Sequence, residues 1–430
     1  MLAPILFFET RFAMSGQADV VVIGGGVIGT ACAYYLAKAG KRVTLIDRQQ
    51  FGAACSHGNC GYVCPSHVLP LAAPGAISST LKTLFHKNSP LKVRPGFALA
   101  NLGWFLNFAR KCNQRDMLSA AVGIQALLNV SRNLYDDLLT TEAIDCEWDT
   151  HGLLFVFHTA AAFEHYSDVN HLLTDQFQMP AERYDRDAVR KLEPALKPDA
   201  ASGGWLYKSD AQLRPDRLMS EWRKVLEKMG VTIHENCELK GFSTHAGGAN
   251  SVQTNQGEIP ATSFVVATGA WTPLLNTHLG CRIPIIPGKG YSLTMPRPSL
   301  CPTYPMIFEE HRVAISPFRT GYRIGSTMEF TGYNATINPD RLQLLRNGAG
   351  IYLQEPECEP TQEEWCGWRP MVYDGKPVID RSPTLPNVII AAGHGMLGLS
   401  MATGTGKIVT AMLTQVKPPI ELSHYSLARF

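Results

Sequence analysis

Two kinds of apolar pattern alternate along the chain, and they predict different elements. Asp19-Val20-Val21-Val22-Ile23 is a short β-branched run that stops at glycine, as in a strand buried on both faces of a parallel sheet. After Gly24-Gly25-Gly26-Val27-Ile28-Gly29, a small-residue helix is expected through Ala39, stopped by Gly40. Arg42-Val43-Thr44-Leu45-Ile46 predicts a second strand ending at Asp47, so 19–47 reads as one strand–helix–strand unit. Residues 51–80, rich in Gly, Ala, Ser, Cys and Pro, predict a loop, and 97–142 predict mainly helix. A strand is expected over 150–158, then short connecting pieces around 180–200. Pro215 and Gly230 bracket an amphipathic helix whose stripe is Leu218, Trp222, Val225, Leu226 and Met229.

Strands are then expected over 231–234, 251–256 and 264–269. From 283 to 335, short strands with prolines and turns predict an antiparallel sheet, followed by a helix over 337–354. Residues 387–392 predict a last buried strand, leading through glycines into a closing helix to about 414. No internal repeat is present. Parallel-type elements at both ends and antiparallel ones between them predict an α/β chain. A discontinuous Rossmann-like dinucleotide-binding domain (16–90, 195–282 and 360–415) is interrupted by an inserted antiparallel-sheet α+β substrate-binding domain (91–194 and 283–359).

Composition narrows the function. At 430 residues and 45% hydrophobic, the chain has material for a large core. Its 39 basic and 37 acidic residues leave +2, too near neutral for a nucleic-acid-binding surface to be its main business. Eleven scattered cysteines favour reduced thiols in a cytoplasmic enzyme over a disulfide framework. Cys55, His57, Cys60, Cys64 and His67 crowd soft donors into one segment. Without a C-x-x-C pair, and directly after the nucleotide unit, they are expected to form a tight loop beside the cofactor and no metal site.

Residues 1–15 are apolar but lack a basic leader and a cleavage site, and are expected to be dispensable, with Met14 as an alternative start. No stretch approaches the length of a membrane span. Residues 97–111 carry an apolar face that ends in basic residues. Length and pattern favour a core helix, with peripheral contact at the inner face of the membrane as the alternative.

The chemistry sits in the glycines. Gly24, Gly26 and Gly29 fit G-x-G-x-x-G: the first permits the tight turn, the second admits a pyrophosphate to the backbone, and the third allows close helix–strand packing. The helix start offers free amides and a positive dipole end to phosphates. Asp47, eighteen residues after Gly29, is placed to accept from ribose hydroxyls. Gly393-His394-Gly395-Met396-Leu397-Gly398 repeats the spacing after a strand, but too little chain remains for a second nucleotide unit. It is expected to aim a helix start at an electron-rich group, such as the pyrimidine end of a flavin. Gly404-Thr405-Gly406-Lys407 lacks the upstream glycine and the following Ser/Thr of a Walker loop.

Six segments carry a resemblance: VVVIGGGVIGTACAYYLAKAGKRVTLIDR (20–48), CSHGNCGYVCP (55–65), VVATGAWTP (265–273), PGKGYSLT (287–294), GWRPMVYDGKPVID (367–380) and NVIIAAGHGMLGLSMATGTGK (387–407). Through them the chain resembles the D-amino acid dehydrogenase family of FAD-dependent amine oxidoreductases, kin of glycine oxidase, sarcosine oxidase and D-amino acid oxidase. The likeness spans nearly all of residues 18–415. It departs in the cysteine-rich 55–64 loop, whose counterpart usually carries small polar residues.

The resemblance implies FAD. With no cysteine in the 393–398 turn, that FAD is expected to be non-covalent. It further implies that Arg48 and Ser56 contact the cofactor and that Asn59, Cys60 and Gly61 approach it through backbone groups. Leu239 would meet adenine through its main chain. Ala267, Thr268 and Gly269 would pack on the cofactor, as would the turn of Gly393, Gly395, Met396, Leu397 and Gly398.

Arg369, in Gly367-Trp368-Arg369-Pro370, matches the arginine that clamps the substrate carboxylate, a role suited to a permanently charged, two-pronged guanidinium. Tyr291 and Arg214 are further candidates for that pocket, while His57 and His394 are not assigned as bases. The implied reaction is hydride transfer from Cα of a small D-amino acid, D-proline or a D-hydroxyproline among the options, to flavin N5. Electrons would pass to a quinone-type acceptor. The rivals are an oxygen-using glycine or sarcosine-type oxidase, an electron-relay subunit of a larger flavoprotein, and a tRNA-modifying flavoprotein, the last opposed by the near-neutral charge.

Overall fold

The computed structural model describes residues 18–78, 89, 91–245 and 247–430; the segment 1–15 lies outside the described residues. Strand Ala18–Ile23 stands at the centre of the first sheet, with Val20 to Ile23 buried. It pairs in parallel with Val43–Ile46 on one side and with the second half of Gly257–Val266 on the other. Thr232–His234 continues the parallel order outward from Val43–Ile46, and Val388–Ala392 from Gly257–Val266. The chain therefore leaves Ala18–Ile23 in opposite directions, and the strand ends on either side of that switch point open into a crevice where ligands bind. Antiparallel Val378–Arg381 covers one edge, and the first half of Gly257–Val266 bends away into a meander with Gly248–Thr254 and Leu239–His245.

Helix Val27–Lys38 packs against the closing helix Gly398–Thr414, which in turn packs on Gln114–Thr141. A Cβ at Gly406 would stand 2.5 Å from the Ala31 carbonyl oxygen, so the Gly404–Lys407 sequence serves close helix contact. The amphipathic helix appears as Pro215–Lys228, with Leu218, Trp222, Val225 and Leu226 buried and Met229 just past its end.

The second sheet has nine strands. Its longest strand is Ile285–Met295, eleven residues long and paired antiparallel with the edge strand Glu363–Val372 and with Tyr322–Phe330. Val313–Ser316, Met306–Phe308, Leu153–Phe157, Gly203–Tyr207 and Glu182–Asp185 extend it in that order. Of the four strands between 283 and 335, Met306–Phe308 and Val313–Ser316 are short as expected, whereas Ile285–Met295 and Tyr322–Phe330 are long. Gly203–Tyr207 and Glu363–Val372 fall within the bounds expected for the dinucleotide-binding domain, yet by pairing they belong to this sheet. Helix Gln114–Thr141, expected on the substrate side, shares its core with Val27–Lys38.

The 97–111 segment departs from a core helix. Trp104 is buried and its indole nitrogen donates to the Pro284 carbonyl, whereas Leu99, Leu102 and Leu106 are 74%, 52% and 51% exposed. Among the described residues no helix is long and apolar enough to cross a membrane.

Candidate active site

The crevice at the switch point is an open cleft of about 1320 Å³, its solvent-facing part included. Gly24, Gly26, Asp47, Leu239, Arg369 and Gly395 all line it.

The first glycine turn is built by close approach. Gly24 has φ +109°, and a Cβ on it would stand 2.5 Å from the Ala267 carbonyl oxygen. A Cβ on Gly29 would overlap the Gly24 carbonyl oxygen. Gly26 differs: a Cβ there would meet only Ser56 Oγ, at 3.5 Å, with the cleft beyond. The N-cap Gly26 has no side chain with which to cap the helix, and Ser56 Oγ accepts from the Val27 amide at 3.0 Å instead. Free amides facing an uncrowded glycine fit a pyrophosphate. Asp47 already accepts from the amides of Gly25 and Gln49, each at 2.7 Å. Burial raises its carboxyl above the ordinary value, partly offset by those amides. Two carboxylate oxygens retain acceptor capacity for a ribose beside these bonds.

Thirteen of the residues implied for the cofactor line this cleft, among them Arg48, Ser56, Asn59, Ala267, Thr268 and Gly269. Met396 and Gly398 line it as well. Gly29, Cys60, Gly61, Gly393 and Leu397 do not; they shape the backbone behind it. Asn59 Oδ1 accepts from the Gly61 amide at 2.7 Å, and the Cys60 carbonyl accepts from Ser316 Oγ at 2.6 Å. Two wall residues escaped the sequence reading. The Arg48 guanidinium lies 3.9 Å over the Trp271 ring, and Trp271 meets Trp368 edge-on at 5.5 Å. Their positions next to Gly269-Ala270 and Arg369 were the available signal.

Among the three substrate-side candidates, only Arg369 reaches the cleft. Its Nη1 donates to the Thr327 carbonyl at 2.8 Å, and no carboxylate pairs with it among the described residues. Burial pulls its pKa down, with the thiols of Cys55 and Cys60 as its nearest acidic neighbours. Tyr291 points the other way: it is 1% exposed and its hydroxyl donates to Glu329 Oε2 at 2.6 Å. Arg214 is spoken for by Asp216, 3.1 Å away, and by Thr320 Oγ1 at 2.7 Å. Neither has a free group to offer in the cleft.

The 55–67 loop divides. Buried Arg323 donates to the carbonyls of His57 and Asn59 at 3.0 and 2.7 Å. His57 Nε2 meets Glu363 Oε1 at 2.7 Å. Cys64, His67 and Asp210 place donor atoms within 4.8 Å of one another, so part of the run does converge. Asp210 also accepts from the Ser66 amide and hydroxyl, and burial pushes its carboxyl up to about 7. His394 lines the cleft, but burial lowers it to about 3 and its Nε2 lies 3.0 Å from Thr405 Oγ1. It is neutral at working pH.

The His57–Glu363 pair gives a pH signature. Glu363 raises His57 above 6.5 and His57 lowers Glu363 below 4.5, with Arg323 opposing and Asp216 supporting the imidazolium. The imidazolium contributes fully below 6.5 and is lost as pH rises through its raised folded value; the carboxylate contributes above 4.5 and is lost as pH falls through its lowered one. Thermal stability is therefore expected to decline as pH rises past neutrality, and His57→Ala to flatten that decline in melting curves between pH 6 and 9. Equal slopes would show that the pair does not hold the loop.

The family model described as FAD dependent oxidoreductase matches residues 19–412. This chain belongs to that family. It is an amine oxidoreductase, and FAD is the family's cofactor. Similar relatives include the D-amino acid dehydrogenase of Allorhizobium ampelinum, 32% identical over 96% of this chain and 98% of its own, and that of Xanthobacter autotrophicus, 31% identical over 96% and 99%. Among solved structures, glycine oxidase from Geobacillus kaustophilus superposes with a TM-score of 0.76 at 20% identity, covering 96% of this chain and 99% of its own. L-proline dehydrogenase from P. horikoshii gives 0.75 at 19%, covering 96% and 98%. At that identity the two structures speak to the fold.

Proposed function

We propose that this family member oxidises a small D-amino acid, D-proline or a D-hydroxyproline among the candidates, and hands the electrons to a quinone-type acceptor. The observation that carries an amino-acid substrate is Arg369: a guanidinium lining the cleft with no carboxylate beside it among the described residues. A substrate carboxylate supplies the missing partner in two-pronged geometry. The D configuration and the dehydrogenase branch rest on the relatives' names.

Bound FAD supplies the two-electron acceptor for the hydride that leaves Cα. The chain supplies position. The first-turn amides beside Gly26 would hold the pyrophosphate, Asp47 the ribose, and Gly395 with the start of Gly398–Thr414 the flavin. Arg369 fixes the substrate by its carboxylate, so that Cα has one orientation. The substrate amine is taken up neutral, and no histidine of the cleft is assigned to strip its proton. Water then hydrolyses an acyclic imino acid to a 2-oxo acid and ammonia, whereas a cyclic substrate such as D-proline or a D-hydroxyproline gives a cyclic imine.

Anaerobic flavin bleaching across D- and L-amino acids, with a matched amine lacking the carboxylate, tests this reading. Reduction by D-amino acids, slow reoxidation by oxygen and fast reoxidation by a quinone are expected. Bleaching by glycine or sarcosine with peroxide release in air would favour the oxidase instead. Exposed Leu99, Leu102 and Leu106 beside Arg110 favour a lipid-facing surface for reaching such a quinone. Flotation with anionic vesicles checks it.

A further inference from the structure

Arg369 occupies a constructed seat. In the second sheet, Ile285–Met295 lies between Glu363–Val372, which carries Arg369, and Tyr322–Phe330. Arg369 is paired with Gly288, and its side chain reaches to the diagonal neighbour Gly290. The three atoms nearest a Cβ built on Gly290 all belong to the Arg369 guanidinium, with Nη2 at 2.5 Å. The guanidinium therefore lies flat on bare backbone, in the volume that any side chain at 290 would fill.

The opposite neighbour is irregular at the same level. Lys289 pairs with Glu329 and Tyr291 with Ser326, so Thr327 and Met328 together face Gly290 alone. That is a β-bulge. Ser326 and Thr327 have φ of +113° and +50°, a region that side-chain-bearing residues rarely enter, least of all a β-branched one. Thr327 Oγ1 is buried without a hydrogen-bond partner. Strained backbone and an unsatisfied hydroxyl persist where the surroundings impose them. Here the bulge turns the Thr327 carbonyl onto Arg369 Nη1, at 2.8 Å, and the guanidinium's other donors meet no acceptor among the described residues.

We propose that Gly290 and the Ser326–Thr327 bulge are the positioning elements for Arg369: the glycine supplies the plane and the bulge fixes one prong, leaving the remaining donors to bind the substrate carboxylate. The proposal rests on the reading of Arg369 as the carboxylate clamp.

The test is a double-mutant cycle of Gly290→Ala and Arg369→Ala in the full flavin-loaded protein. It is read by flavin content, by melting temperature, and by KM and kcat for the best D-amino acid and for its carboxylate-free amine. Gly290→Ala alone should raise KM for the acid about tenfold or more, leave the amine unchanged, and retain flavin. In the Arg369→Ala background the same substitution should change acid kinetics less than about twofold. If Gly290→Ala does not load flavin, the pair Gly290→Ala/Arg369→Ala should, because the guanidinium that the methyl meets is gone. A glycine effect that persists without Arg369, or loss of flavin in both backgrounds, would show that Gly290 serves the sheet and overturn the seat. So would a Gly290→Ala protein that discriminates acid from amine as the parent does while Arg369→Ala does not. If Arg369→Ala itself retains the parent's discrimination, the clamp reading fails first, and the seat falls with it.

Discussion

Arg369→Ala is expected to lose at least about thirtyfold in kcat/KM for its amino-acid substrate while keeping near-normal flavin. Removing one partner of a buried, hydrogen-bonded charge pair costs roughly 2–5 kcal/mol, and about 1.4 kcal/mol is a factor of ten. The loss falls on the acid because, among the described residues, the guanidinium's one acceptor is the Thr327 carbonyl, so truncation strands no carboxylate there. Arg369→Lys should recover part of the activity, since lysine restores the charge but neither the plane nor the two prongs. Stopped-flow flavin reduction by the acid and by its carboxylate-free analogue separates binding from collapse. A variant that binds flavin and still prefers the acid as the parent does removes Arg369 from the substrate. Arg214 would then have to leave Asp216 to take its place.

Gly26→Val and Gly29→Ala should fail in different ways. At Gly26 the protein leaves room for a side chain, 3.5 Å from its nearest neighbour, but that room is the cleft. The apoprotein should fold with a melting temperature near the parent's and lose most of its flavin. At Gly29 even a methyl overlaps the Gly24 carbonyl oxygen, so helix and strand must separate, a cost of typically 1–3 kcal/mol for overpacking and more where backbone must yield. That variant should melt earlier without any cofactor present. Flavin content and apoprotein melting curves, measured side by side, check both. Full flavin in Gly26→Val would remove the turn from the pyrophosphate site.

The sequence was most legible where one interaction dominates. Val20–Ile23 and 388–392 are apolar throughout because both faces of the parallel sheet are covered, one by helices Val27–Lys38 and Gly398–Thr414 and the other by the meander and the start of Ile285–Met295, and periodicity found both. Glu363–Val372 escaped because one of its faces carries polar and packing contacts where pattern reading expects an oily one: Glu363 meets His57, the Trp365 ring lies against Gly58 and Gly367, and Arg369 lines the cleft. Helix Ala160–Phe177 escaped because only Phe163, Leu173 and Phe177 are buried, although Thr159 caps it by accepting from the Ala162 amide. Tyr291 was misjudged for want of a register. Once Gly290 is known to carry the guanidinium, the period of two along a strand sends Tyr291 to the opposite face, where Glu329 holds it. Arg214 looked free because its partners Asp216 and Glu147 are ordinary surface-type acids in the sequence.

The placement of Gly398–Thr414 bears on how the molecule is made. This helix fills the gap between Val27–Lys38 and Gln114–Thr141, and the strand before it completes the parallel sheet beside Gly257–Val266. The first elements to leave the ribosome therefore wait for nearly the last. Until translation ends, the nascent chain carries an open strand edge and an uncovered small-residue helix, both adhesive surfaces in a crowded cell. Chains shortened before residue 387 lack both the strand and the helix that cover those surfaces, and are expected to reach the insoluble fraction on expression.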